Sequence, residues 1–271
     1  MALVVKNTHE LIDPEKYRAK VLVYGISGVG KTAWAATAPN PGFVACETGH
    51  GSGLLTVADK GLDYVEPTNL DDLEAIAKGS VFKDKATIVL DSLSDMERTF
   101  IKEAALKIPR MRGDTEKRKK GIPELDDYGV MGEMTYKYLR LLQHSNPDKH
   151  IICIATEKYD KADPENGQAE SYIGPNLPGQ MFHGAPAAFD LVLRLRVRPA
   201  LKTPGDAKSR YIQRYFITQP DSQGSIVKGR PSIDCKPLIP AEVVFDPSTG
   251  EGCFNYFLQK ICDGYAAALK K

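Results

Sequence analysis

Up to about residue 190, short apolar runs alternate with longer amphipathic stretches, a pattern that predicts parallel strands joined by crossover helices. Strands are predicted over 20–24, 42–46, 86–90 and 150–155, with two more over 191–197 and 211–217. The first four are short, β-branched and apolar on both faces, as strands covered by helices on each side must be. Between them the spacing predicts helices over 31–38, 71–78, 91–107 and 131–143, and Asp71 and Asp72 supply the acidic first turn that a helix N-terminus favours. Beyond about residue 190, strand, turn and proline signals take over until a last helix over 255–269. The expectation is an α/β protein with a mostly parallel central sheet flanked by helices and a β-rich C-terminal extension. It forms one domain over 20–271 behind an arm of residues 1–19, with no internal repeat.

Directly after the first strand comes Gly25-Ile26-Ser27-Gly28-Val29-Gly30-Lys31-Thr32, a full GxxxxGKT that opens the first helix at Ala33. Glycines let successive backbone N–H groups turn toward phosphate oxygens, and the helix N-terminus adds its positive dipole end. Lys31 reaches the outer phosphates, and the Thr32 hydroxyl is suited to ligate Mg²⁺. Gly25, Ile26, Ser27, Gly28, Val29, Gly30, Lys31, Thr32 and Ala33 are therefore the candidate nucleotide-binding residues, with ATP and Mg²⁺ as cofactors. The third strand ends in Leu90-Asp91-Ser92, which suits a carboxylate holding Mg²⁺ through water, although an Asp there also serves as a helix N-cap. The second strand runs into Glu47, placing a carboxylate at the C-terminal edge where α/β sheets bind ligands. Glu47 is read as the residue that polarises the attacking water; a solvated loop carboxylate is the alternative.

Charge changes the picture locally rather than globally. The 36 basic and 35 acidic residues leave +1, so nucleic-acid binding has to come from patches. From Lys107 to Lys120 there are seven basic residues against Asp114 and Glu116, with Pro109 and Gly113 breaking any helix. Arg110, Arg112, Lys117, Arg118, Lys119 and Lys120 are candidate phosphate contacts for sequence-independent binding to single strands; the other reading is a solvated charged face. Arg194, Arg196 and Arg198 alternate with apolar residues, which puts three guanidinium groups on one strand face, either extending a DNA path or guarding an exposed face.

The order of P-loop, strand-Glu, Val-Leu-Asp-Ser and strand-polar end resembles the RecA-type recombinase core, and the short chain resembles compact phage single-strand-annealing ATPases of the Sak type within it. The resemblance spans about residues 20–235 and implies a RecA-like P-loop NTPase fold, with Glu47 as the catalytic glutamate and Thr156 as the residue that senses the γ-phosphate. That family has an amide where this chain has Thr156-Glu157. It implies that Asp126 to Gly132 ends a first DNA-binding loop, and that Lys158 to His183 forms a second. Tyr128, Tyr159, Tyr172 and Phe182 would be base-stacking partners. Lys228 and Arg230 would be cations presented to a neighbour's nucleotide, a basic surface turn being the other reading. The function implied is ssDNA-stimulated ATP hydrolysis in phage recombination, by annealing or strand exchange. The protein would act as a homo-oligomer with ATP between subunits, alongside a single-stranded-DNA-binding protein. Another P-loop enzyme, such as a small-molecule kinase, or an ATP-gated scaffold stays open.

With 42% hydrophobic, 26% charged and 8% aromatic residues, the composition excludes disordered and collagen-like classes. No apolar run reaches the roughly 18–20 residues a bilayer needs, and residues 1–10 lack a secretory pattern. Cys46, Cys153, Cys235, Cys253 and Cys262 form an odd set without CxxC spacing, read as buried thiols in a reducing compartment, with zinc as the other reading. The expected location is the cytoplasm, that of the bacterial host if phage-encoded, with no membrane partner.

Overall fold

The structure is a computed structural model that describes residues 13, 16–47, 52–108, 122–163, 165, 170–203, 206–231 and 235–269. The arm therefore lies largely outside the described residues, and so do Arg110, Arg112, Lys117, Arg118, Lys119 and Lys120.

Among the described residues the strands β1 (Lys20–Gly25), β2 (Pro41–Ala45), β3 (Asp63–Val65), β4 (Thr87–Asp91), β5 (His150–Asp160), β6 (Tyr172–Pro175), β7 (Leu191–Leu201), β8 (Arg210–Ile217) and β9 (Glu242–Phe245) form one sheet. Its order is β3-β2-β4-β5-β1-β7-β8-β9. From β3 to β7 every pairing is parallel, while β8 and β9 add antiparallel and β6 hairpins back onto β5. The α/β class, the mostly parallel sheet and the strand-rich C-terminal part are thus as expected.

β2 and β4 are buried at every position, and β1 at all but its first, which is why they read as continuous apolar runs. Alternate side chains feed two cores. Leu22, Tyr24, Ile88 and Leu90 pack under α2 (Leu70–Ala77) and α5 (Leu125–Ser145). Val21, Val23, Val89 and Ile152 pack under α1 (Lys31–Ala35) and α7 (Phe254–Leu269). Trp34 locks α1 to the C-terminal part: its ring meets Phe216 at 5.4 Å and its Nε1 donates to Gly252 O at 2.9 Å.

The departures from expectation are local. The helix predicted over 91–107 is α3 (Leu93–Met96), a π-helical turn (Glu97–Ile101) and α4 (Lys102–Lys107), because Asp91 completes β4 and Ser92 caps the helix by accepting from Asp95 N. α5 begins six residues earlier than predicted, at Leu125, because Glu124 and Asp127 form a reciprocal capping box. Residues 126–132, expected to end a loop, are helical. In the segment expected as a second loop, β5 continues to Asp160 and pairs with β6, and α6 (Met181–Ala187) follows.

Candidate active site

Parallel register brings the chemistry to one edge. β5 lies between β1 and β4, so Gly25 is registered with Thr156 and Ala45 with Asp91. Cys46 N donates to Asp91 O at 2.7 Å, which sets Glu47 beside the end of β4. The P-loop leaves β1 at Gly25 and enters α1 at Lys31, with Gly28 at φ 76° and Gly30 at φ 102°, conformations that glycine adopts without strain.

Thr32 Oγ1 donates to Asp91 Oδ2 at 2.7 Å. Lys31 Nζ donates to its own loop, to Gly25 O at 3.0 Å and Ile26 O at 2.8 Å. Burial lowers the Lys31 ammonium pKa, opposed by Asp91, Glu157, Glu47 and Asp95. Burial raises the Asp91 carboxyl to about 6; the Thr32 hydrogen bond and Lys31 pull it down, and Glu47 and Asp95 push it further up. Two carboxylates, a hydroxyl and an ammonium therefore converge where a P-loop would present phosphates. The Thr32 hydroxyl and Asp91 carboxylate are hard oxygen donors of the kind Mg²⁺ takes. Glu47 is exposed and its carboxylate lies over Gly53, where a Cβ would meet Oε2 at 2.7 Å and the Glu47 side chain would have to swing aside.

Thr156 lies where β5 stops pairing with β1. Its N–H donates to Ser94 Oγ at 3.1 Å, its hydroxyl accepts from Asn176 Nδ2 at 3.3 Å, and its carbonyl accepts from Asn176 N at 2.7 Å. Asn176 thus places a side-chain amide beside Thr156. Glu157 is held by Arg194 in a two-pronged pair at 2.8 and 3.2 Å. Arg194 is 3% exposed and also donates to Ser225 Oγ and Gln223 Oε1. It is an internal clamp, not part of an exposed arginine face. Arg196 donates to Gln223, and Arg198 donates to Gln213 and Glu242 while lying over Tyr215.

Lys228 and Arg230 lie at the opposite, strand-start edge. Val192 bridges Lys228, whose Nζ donates to Phe189 O at 2.6 Å, and Arg230 pairs with Asp190, just before β7. The structure does not bring them to this chain's own P-loop.

Sequence reading missed Arg214. From β8 its Nε donates to Val29 O at 3.0 Å, and a Cβ on Gly30 would come within 2.8 Å of that nitrogen. Across a trans peptide C=O and N–H are antiparallel, so pinning the Val29 carbonyl fixes the direction of the Gly30 N–H. The only sequence signal was a charged residue on an otherwise apolar strand end.

Among the described residues no group of three or more His, Cys, Asp or Glu side chains is placed to hold a metal, and no helix is long and apolar enough to cross a membrane. Cys46, Cys153 and Cys262 are buried, Cys253 is half-buried and Cys235 is exposed; all are free thiols.

A P-loop between a parallel strand and a helix, with a carboxylate on the Thr side chain, defines a nucleotide-binding P-loop protein. Residues 17–230 match a protein family described as an AAA domain, and the chain belongs to that family of P-loop ATPases. Among solved structures it is similar to a KaiC-like protein of the hyperthermophilic archaeon Pyrococcus horikoshii OT3. The two are 14% identical, with 79% of this chain and 89% of that chain covered at a TM-score of 0.37. No curated protein matches the chain.

Proposed function

We propose that this P-loop ATPase is a single-stranded-DNA-binding recombination protein that couples ATP hydrolysis to annealing or strand exchange, working as an oligomer with nucleotide between subunits. The observation that carries the ATPase half is the Thr32–Asp91 hydrogen bond with Lys31 folded onto its own loop. Lys31 exchanges the Gly25 and Ile26 carbonyls for the outer phosphates, and Asp91 and Thr32 would hold Mg²⁺. The ion, when bound, neutralises charge on the phosphate oxygens. Glu47, which makes no hydrogen bond among the described residues and neighbours Asp91, takes the proton of the attacking water. Thr156 and Asn176 sit at the base of the β5–β6 hairpin, into which a change at the terminal phosphate passes.

The DNA half rests on the basic run 107–120, which joins α4 to α5 in sequence, and on Lys158 and Tyr128 exposed on the flanking elements. Lys228 and Arg230, remote from their own P-loop, are the residues through which a neighbouring subunit would complete the site; to do so each has to leave its contact within the chain.

Fluorescence anisotropy with a labelled single-stranded oligonucleotide tests the reading, with and without Mg²⁺ and a slowly hydrolysed ATP analogue. Binding that tightens with nucleotide and weakens steeply with salt supports it. Binding of nucleotide without any binding of DNA would reassign the chain to another class of P-loop enzyme.

A further inference from the structure

Glu97 is the anomaly of the helical stretch after β4. Its side chain is only 5% exposed, and Oε1 has no hydrogen-bond partner among the described residues. Leaving a buried carboxylate oxygen unpaired is costly, so the position is open to a further hydrogen-bond donor. Glu97 also opens the π-helical turn, a local widening common at functional sites.

The residue lines a cleft of about 550 Å³, large enough for one nucleotide unit. Arg98, Lys102 and Lys158 share its walls, and Tyr128, 41% exposed, offers an aromatic face beside Met131. Ser94 and Asn176 also line it, and both are bonded to Thr156, so the cleft adjoins the P-loop edge. Cations around an aromatic face suit a strand segment: phosphates on the first, a base on the second. A carboxylate has two acceptor oxygens and finds its match in adjacent donors. Guanine presents N1–H beside N2–H₂, whereas cytosine and adenine place a ring acceptor next to their amine and thymine flanks its N–H with carbonyls.

We propose that this cleft receives one unstacked base of a bound single strand and that Glu97 selects guanine through its N1–H and N2–H₂ donors. The inference rests on the single-strand reading above. Tyr128 stacks on the base, and Lys102, Lys158 and Arg98 hold the flanking phosphates. Burial raises the Glu97 carboxyl to about 7, against the opposing pull of Arg98 and Lys102, while Tyr128 and Lys158 face the cleft from α5 and β5. Ionisation between pH 6 and 8 makes both oxygens acceptors, so selection strengthens across that window.

The test is anisotropy on the full chain at pH 8 with three oligonucleotides: repeated dT-dT-dG, the same with hypoxanthine in place of guanine, and all dT. Hypoxanthine keeps N1–H and lacks the amine. Wild type should bind the guanine strand about fivefold or more tighter than the hypoxanthine strand. The ratio should shrink at pH 6 and vanish in Glu97→Gln, while Lys102→Ala weakens all three strands and keeps the ratio. Equal binding of the guanine and hypoxanthine strands by wild type overturns the proposal and leaves the single-strand reading standing, and so does a ratio that survives in Glu97→Gln. Displacement by free GMP at matched base concentration would also overturn it, by assigning the cleft to a mononucleotide. Failure to bind any of the three strands overturns the single-strand reading and the cleft assignment with it.

Discussion

Thr32 and Asp91 are 59 residues apart in sequence and 2.7 Å apart in space, joined by a hydroxyl donating to a buried carboxylate. The contact ties the P-loop to the end of the Asp91 strand and partly offsets the burial that disfavours the Asp91 charge.

That cost is measurable. The folded-state pKa of Asp91 is raised to about 6 from 3.8, so folding is penalised once pH rises through this interval and fully above it. Asp91→Asn keeps an acceptor for Thr32 and removes the charge. Thermal melts without nucleotide should show the variant more stable at pH 7, by a few degrees, with the difference gone near pH 4. Its Mg²⁺-dependent turnover should be lost.

Lys31→Ala removes the ammonium proposed to exchange its loop carbonyls for the outer phosphates. Turnover should fall by about 100-fold or more, with the fold retained by circular dichroism. Unchanged turnover would place hydrolysis elsewhere.

Glu47→Gln should separate binding from chemistry. Nucleotide affinity should stay within about twofold of wild type while hydrolysis slows by about 100-fold, the scale of a lost general base. An equally active variant would make Glu47 a solvated loop carboxylate.

Arg214 acts through the Val29–Gly30 peptide. Arg214→Ala should raise KM for ATP by about tenfold, as about 1.5 kcal/mol from a charged hydrogen bond predicts, with a smaller effect on kcat. Arg214→Lys should recover part of the loss, which a purely architectural role in β8 would not give.

Buried Arg194 pairs with half-buried Glu157, and removing the guanidinium strands the carboxylate. Arg194→Ala should destabilise the protein by about 3 kcal/mol in urea denaturation. A loss below about 1 kcal/mol would mean that water replaces the guanidinium beside Glu157.

Legibility followed sequence distance. The P-loop could be read because its geometry is written in eight consecutive residues, and Asp91 because it ends an apolar run. Arg214, Asn176 and the Arg194–Glu157 pair could not, since each depends on which strands become neighbours and in what register. β3 was missed because an edge strand of three residues, two of them exposed, carries no apolar pattern. The start of α5 was missed because the family resemblance placed residues 126–132 at the end of a loop, whereas the Glu124–Asp127 capping box turns the aspartates there into a helix start. Glu97 did leave a signal. Leu93, Glu97, Ile101 and Ala105 recur every four residues on one buried helical face, and a carboxylate in that stripe marks a site that apolar packing alone does not explain.

The central claim is that ATP turnover answers to single-stranded DNA. Steady-state hydrolysis with Mg²⁺, measured with and without a mixed-sequence single strand at low and moderate salt, tests it most directly. Turnover should rise several-fold with the strand, and the stimulation should fade as salt increases. Equal turnover with and without the strand at both salt concentrations would contradict the account.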